Sequence, residues 1–244
     1  MEVINSIRLK SLWIFVVPMV VLHLCLFIST NYDLLENTIF IVDQIGRSSF
    51  SIPYIDGSLS ISRAARTYPQ YLLFKPGMII TSILLIQYWL YNNKLFLSLE
   101  DSAEKKRKYF LFFGISSAIF LIIHSIFLGY NFENDLYKFF RRFVLLGFII
   151  FEIIAQTLLV INIVKVKKKI ETLINKKILV IKMVLVSILI VVAVLVAPIL
   201  NSSDYTLFKH ALEWNYFLGV VTFYLLTFFL WKKRKTQVHT PEGV

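Results

Sequence analysis

Apolar residues in this chain neither alternate with polar ones nor keep to one helical face. They fall in long runs separated by short polar stretches, which is the pattern of segments dissolved in lipid rather than half-immersed in water. Crossing about 30 Å of hydrocarbon at 1.5 Å per residue takes about 20 residues of helix. Six runs meet that requirement, at about residues 11–30, 74–92, 109–130, 141–164, 178–200 and 214–231. The second is the shortest, with Pro76 near its start and a possible extension back toward Leu72. The pattern therefore predicts an all-α polytopic membrane protein. Six transmembrane helices form one bundle over residues 1–235, and a short tail follows at 236–244. The first run sits behind a short basic segment, as a signal peptide would. It is longer than the about 7–15 apolar residues of such a signal, and no small-x-small site follows Ile28, so it is read as a retained span.

Charge sets the expected orientation. Arg8 and Lys10 precede the first run, and Lys94, Lys105, Lys106, Arg107 and Lys108 separate the second from the third. Lys165, Lys167, Lys168, Lys169, Lys176 and Lys177 separate the fourth from the fifth, and Lys232, Lys233, Arg234 and Lys235 follow the sixth. Basic residues in short loops stay on the cytoplasmic side, so both termini are expected there. The same bias accounts for most of the net charge of +11 without nucleic-acid binding. The 57% hydrophobic content and mean hydropathy of +0.71 agree with a lipid solvent. The longest loop, Asn31 to Lys75, then lies outside between helices 1 and 2. It carries β-favouring Phe50 to Ile55, broken by Pro53, an Asp56–Gly57 turn signal, and a Ser- and Arg-bearing stretch ending at Tyr68–Tyr71. It is expected to form an ordered cap over the helix ends.

No phosphate-binding Gly-rich loop, nucleophile elbow, zinc spacing or dinucleotide fingerprint occurs, and the sequence calls for neither a metal nor a cofactor. Candidate chemistry is confined to polar residues within or beside the spans, which are costly there and mark sites. Glu152 and Gln156 stand one turn apart on the fourth run as buried polar groups, with His23 a third on the first. Gly114, Ser117 and His124 form a narrow stripe suited to close helix packing. For His23 and His124, structural hydrogen bonding and an acid–base or phosphate role both stand. Lys182 is expected to snorkel to the interface, Cys25 to pack, and the Asn201 sequon to lie too near the membrane for ready modification. Lys75, His23, His124, His210 and Glu213 all fall at the outer side beneath the long loop. They suit either recognition of a phosphate-bearing lipid or simple interfacial anchoring.

Three stretches resemble a known family. They are Ser60-Ile61-Ser62-Arg63-Ala64-Ala65 with Pro69-Gln70 and Lys75, then Tyr205-Thr206-Leu207-Phe208 with Leu212-Glu213-Trp214 continued by Phe223 to Phe228, and Ile181-Lys182-Met183-Val184 in the fifth span. Together they are similar to motifs of the multispanning proteins that include the DRAM autophagy modulators, the Frag and Sfk proteins, and post-GPI-attachment-to-proteins factor two. Pro53-Tyr54-Ile55-Asp56 and Ile181-Lys182-Met183-Val184 look like the DRAM branch, whereas the Ser-Ile-Ser, Pro-Gln and Lys75 spacing favours the GPI-remodelling branch. Where family members carry a His near the start of the fourth span, this chain has Lys138-Phe139-Phe140-Arg141-Arg142. The resemblance implies a lipid-handling protein of the Golgi, endoplasmic reticulum or plasma membrane, involved in remodelling GPI-anchor lipid. Its partners would be membrane lipids of GPI or phosphoinositide type, with Lys75, His210, Arg63 and Arg66 on the headgroup. On this reading it is not an enzyme by itself. Were it to catalyse acyl transfer, His124 and Glu213 would be the acid–base pair. A regulator of autophagy or lipid signalling is the alternative within the family, and a small-solute transporter built on Glu152 and Gln156 the alternative outside it.

Overall fold

The computed structural model describes residues 2–35, 38–40, 50–99, 108–130, 134–196 and 205–232. Helix α1 is Glu2–Thr30, α2 is Ile61–Arg66, α3 is Gln70–Leu99, α4 is Lys108–Phe127, α5 is Asp135–Lys165, α6 is Lys176–Val196 and α7 is Thr206–Leu230. All but α2 are long and apolar enough to cross a membrane, as the helices of an integral membrane protein are.

The six long helices close on one another side by side. α1 packs on α3 and α7, α3 on α4, α4 on α5, and α6 completes the circuit against α7 and α5. Aromatic side chains fill the middle, where Tyr88 of α3 meets Tyr224 of α7 edge-on at 5.1 Å and Trp89 lies 6.5 Å from the same ring. Gly114 lets α4 approach α3 closely, since a Cβ there would stand 2.4 Å from the Trp89 ring. A Gly114→Val variant should therefore unfold at a lower temperature, losing about 1–3 kcal/mol to overpacking, as thermal denaturation in detergent would show.

Chain direction alternates, so the first and last helices bring their terminal ends together. Arg8 of α1 donates from Nε to the Phe228 carbonyl at 3.3 Å and lies over the Phe228 ring. Beside them Ile174 and Trp231 form a short antiparallel bridge, in which Asn175 N–H donates to Leu230 O at 2.8 Å and Lys232 N–H to Leu173 O at 2.9 Å. This is the basic end of the bundle. The opposite end carries α2 and the segment before it, and is called the loop end below.

Several helices run past the apolar windows that sequence reveals. α3 starts at Gln70 with Pro76 inside it, α5 at Asp135 behind its cap Asn134, and α7 at Thr206. The polar residues Lys75, Arg141, His210 and Glu213 interrupt hydropathy but not backbone hydrogen bonding, so each helix outruns its apolar stretch. α4 stops at Phe127 rather than 130, because Gly129 turns the chain at φ +93°. The expected β-favouring stretch at 50–55 is a turn in which Ile55 and Asp56 N–H both donate to Ile52 O. Lys182 does not snorkel. It is fully buried, with Nζ donating to Thr227 Oγ1 at 2.5 Å and lying 3.6 Å from the Phe223 ring centre, because α7 offers an acceptor and a ring face where α6 meets it. Lys105, Lys106, Arg107, Asn201, the end of the fifth span at 197–200 and residues 233–244 lie outside the described residues.

Candidate functional site

The loop end is assembled on α2. Ser60 caps this helix by accepting from Arg63 N–H at 3.2 Å. Its face Ala64–Ala65 is fully buried, and Ser29 of α1 donates to Ala64 O at 3.0 Å. The half-buried Glu213 carboxyl group faces the N–H groups of Ile61 and Ser62 and the Ser62 hydroxyl, donors that tie it to the start of α2.

The segment before α2 is tied to α1 and α7 side chain by side chain. Trp214 Nε1 donates to Leu59 O at 2.8 Å, His210 Nδ1 to Gly57 O at 2.9 Å, and Asn215 Nδ2 to Tyr54 O at 2.7 Å. Tyr54 closes the set with its hydroxyl 2.8 Å from His23 Nε2, while His23 Nδ1 lies 2.6 Å from Met19 O. A carbonyl only accepts, so Nδ1 carries a proton, and Nε2 shares its hydrogen bond with a Tyr54 hydroxyl that can donate or accept. Asp56 holds the turn from within. Burial is the largest single influence and works to raise its pKa, but N–H groups of Ser58 and Ile52 and hydroxyls of Ser58 and Ser51 together hold the carboxyl below its usual range.

This clamp places cations. Arg63 and Arg66 stand on α2, and burial, then Arg141 of α5, then Arg63 hold the Arg66 guanidinium below its ordinary range. Arg141 also acts electrostatically on His124 of α4, and Arg63 on His210. The turn after α4 closes the gap, since a Cβ on Gly129 would lie 3.2 Å from the Arg66 carbonyl and 3.8 Å from the Tyr71 ring. Lys75 sits alongside with Nζ 5.1 Å from the Tyr71 ring centre and 4.6 Å from that of Tyr130, a cation–π cradle. Among the described residues no carboxylate forms an ion pair with Arg63, Arg66, Arg141 or Lys75.

The expected residues thus divide. Lys75, Arg63 and Arg66 share one rim, joined by Arg141, which sequence reading assigned no role. His23, His210 and Glu213 fasten the loop. His124 lies 8% exposed, edge-on to Phe74, with Nδ1 lacking a partner. Among the described residues no hydrogen bond or ring contact joins it to Glu213.

A second polar group lies in the bundle core. Glu152 Oε1 accepts from Gln156 Nε2 at 3.0 Å and from the Tyr224 hydroxyl, and Oε2 lies 2.6 Å from Ser117 Oγ. Ser117 is also 2.9 Å from Gly114 O, and one hydroxyl proton cannot serve both. Either Ser117 donates to an ionised Glu152, or a neutral Glu152 donates to Ser117, which then donates to Gly114 O. Both Glu152 and Gln156 are fully enclosed.

Comparison of the chain with protein-family models, with curated proteins and with solved structures finds no match.

Proposed function

We propose that this chain is a lipid-handling membrane protein whose loop end faces the lumen or exterior and binds a phosphate-bearing lipid headgroup. The observation that carries this reading is the gathering of Arg63, Arg66 and Arg141 with no carboxylate ion pair among the described residues. Like charges held together repel, and an anion between them turns that cost into attraction. Guanidinium groups suit the task because their planar fork matches two phosphate oxygens at once. The orientation rests on the basic end, where Lys165, Lys167, Lys168, Lys169, Lys176, Lys177 and Lys232 belong on the cytoplasmic side.

Resemblance in Ser60–Ala65, Pro69–Gln70 and Lys75 supports a role in remodelling GPI-anchor lipid in the endomembrane system or plasma membrane, which we read as that of an escort rather than an enzyme. Acyl transfer through His124 and Glu213 is the less favoured form, since Glu213 is engaged at the start of α2. A regulator of autophagy or lipid signalling would use the same site. A transport path through Glu152 ranks below both because that carboxyl is sealed among its own donors.

Lipid mass spectrometry of protein purified from cells tests the proposal. The wild type should retain a phosphoinositol or GPI-type lipid that the Arg66→Gln/Arg141→Gln variant loses at equal protein yield. The same bulk lipid in both samples would refute it.

A further inference from the structure

The basic end of the bundle is held more firmly than its charge requires. Residues 166–175 join α5 to α6. Val166, Ile170 and Ile174 recur at every fourth position of this segment and are buried in the hydrophobic core. Between them Lys169 N–H donates to Val166 O at 2.9 Å and Leu173 N–H to Ile170 O at 2.9 Å, and the bridge from Ile174 to Trp231 fastens the far end. Lys167, Lys168, Lys169 and Glu171 are left facing outward. Lys165 at the end of α5, Lys176 and Lys177 at the start of α6 and Lys232 after α7 are exposed beside them. Topology asks only that such lysines be present, and a slack loop would serve it. Here core packing and backbone hydrogen bonds set their positions.

The arrangement converges. Lys176 donates to Glu171, and Lys167 and Lys232 act on the same carboxylate electrostatically. Three separate parts of the chain thus bring ammonium groups around one anion. Glu171 is the sole carboxylate among residues 165–177 and 232, against seven lysines. Lys176 and Lys177 also stand in the first turn of α6, where the positive end of a helix disfavours cations. The apolar runs stop at about 164, resume at about 178 and close at 231, which puts these ammonium groups at the headgroup level of the adjoining leaflet. On the membrane side of Lys176, the α6 residues Val180, Val184 and Ile188 follow at helical spacing and are half-exposed. A lipid whose headgroup meets the lysines therefore has its acyl chains on an apolar face within the bilayer.

We propose that this lysine surface binds an inositol lipid carrying two or more phosphate monoesters, with Lys167, Lys176 and Lys232 on its headgroup and Glu171 displaced from Lys176. The site is separate from the arginines of the loop end and lies in the opposite leaflet, the cytoplasmic one on the orientation proposed above. A phosphate monoester carries about −1.5 to −2 charge near pH 7, so it outcompetes a single carboxylate for the lysines. Lysine suits such a headgroup because it is a compact point charge on a flexible stem and meets several phosphates without a fixed fork. Phosphatidylinositol and phosphatidylserine, each with a net charge near −1, bring too little charge to be selected.

The test follows the fluorescence anisotropy of a labelled short-chain phosphatidylinositol bisphosphate on the full chain in detergent, with unlabelled bisphosphate lipid, phosphatidylinositol and free inositol trisphosphate as competitors. The wild type should prefer the bisphosphate lipid to phosphatidylinositol about tenfold, which is about 1.4 kcal/mol. Lys167→Gln/Lys176→Gln/Lys232→Gln should abolish that preference, whereas Lys165→Gln/Lys168→Gln/Lys177→Gln, which removes equal charge, should keep most of it. Glu171→Gln should tighten binding about threefold, the worth of an exposed ion pair, and Glu2→Gln, the same change elsewhere at this end, should leave it unaltered. Equal affinity for the two lipids, or equal loss in the two triple variants, would mean diffuse attraction to basic charge and overturn the proposal. Inositol trisphosphate competing as well as the bisphosphate lipid would overturn it in favour of a soluble inositol phosphate.

Discussion

In a Gly57→Ala variant the segment from Phe50 to Ser60 is expected to come away from α7. Gly57 holds φ at +60°, and an added Cβ would stand 1.8 Å from the Leu207 carbonyl oxygen. Backbone cannot step aside as a flexible side chain can. The left-handed conformation alone costs a substituted residue about 1–2 kcal/mol, and relief of the clash means breaking the His210, Trp214 and Asn215 bonds that surround it. Limited proteolysis should then cut within residues 50–60 while the six long helices keep their circular-dichroism signal. Because Arg63 and Arg66 ride on α2, bound lipid should be lost together with protease resistance. A variant that resists protease like the wild type would show that the clamp is less important than its geometry implies.

The second large effect is expected at Glu152. Leucine there would leave Ser117, Gln156 and Tyr224 pointing at an apolar side chain. Individual interhelical hydrogen bonds in membrane proteins are worth about 0.6 kcal/mol on average, but Gln156 and Tyr224, and Ser117 as well where it is the donor, lose this acceptor at once, and stranded buried donors cost about 1–3 kcal/mol each. Glu152→Leu should therefore destabilise the bundle by about 2–4 kcal/mol. Glu152→Gln separates the two proton arrangements. An amide can donate to Ser117 while accepting from Tyr224, which reproduces a neutral carboxyl, so near-wild-type thermal stability would mean that Glu152 is held protonated. A loss as large as that of leucine would mean that it is held ionised.

Much of this architecture is legible in the apolar runs, because a helix that meets lipid must be apolar over a length set by the membrane. What hydropathy could not give was where the helices end. α7 continues through Lys209, His210 and Glu213, where side chains have left the apolar window but backbone hydrogen bonds persist. Helix α2 was legible in principle, since Ser60 ahead of Ile61 and the pair Ala64–Ala65 make a capped, helix-favouring hexamer. It was obscured by the Ser content of its surroundings.

The site itself was only half legible. Lys75, Arg63 and Arg66 are close in sequence and stood out as cations beneath a loop. Arg141 lies 75 positions beyond Arg66 on another helix, and only the packing of α4 on α5 and of Gly129 against Arg66 brings them together. Lys182 failed for the opposite reason. Its place near a helix end suggests escape to the interface, whereas Thr227 and Phe223 give it a reason to stay inside.

Native mass spectrometry of the full chain, released from nanodiscs containing equal amounts of phosphatidylinositol and phosphatidylcholine, puts the headgroup site to its most direct trial. The wild type should emerge carrying a phosphatidylinositol adduct that survives collisional activation, and the Arg66→Gln/Arg141→Gln variant should emerge without it. Equal retention of the two lipids by the wild type, or an unchanged phosphatidylinositol adduct in the variant, would contradict a lipid-phosphate site at Arg63, Arg66 and Arg141.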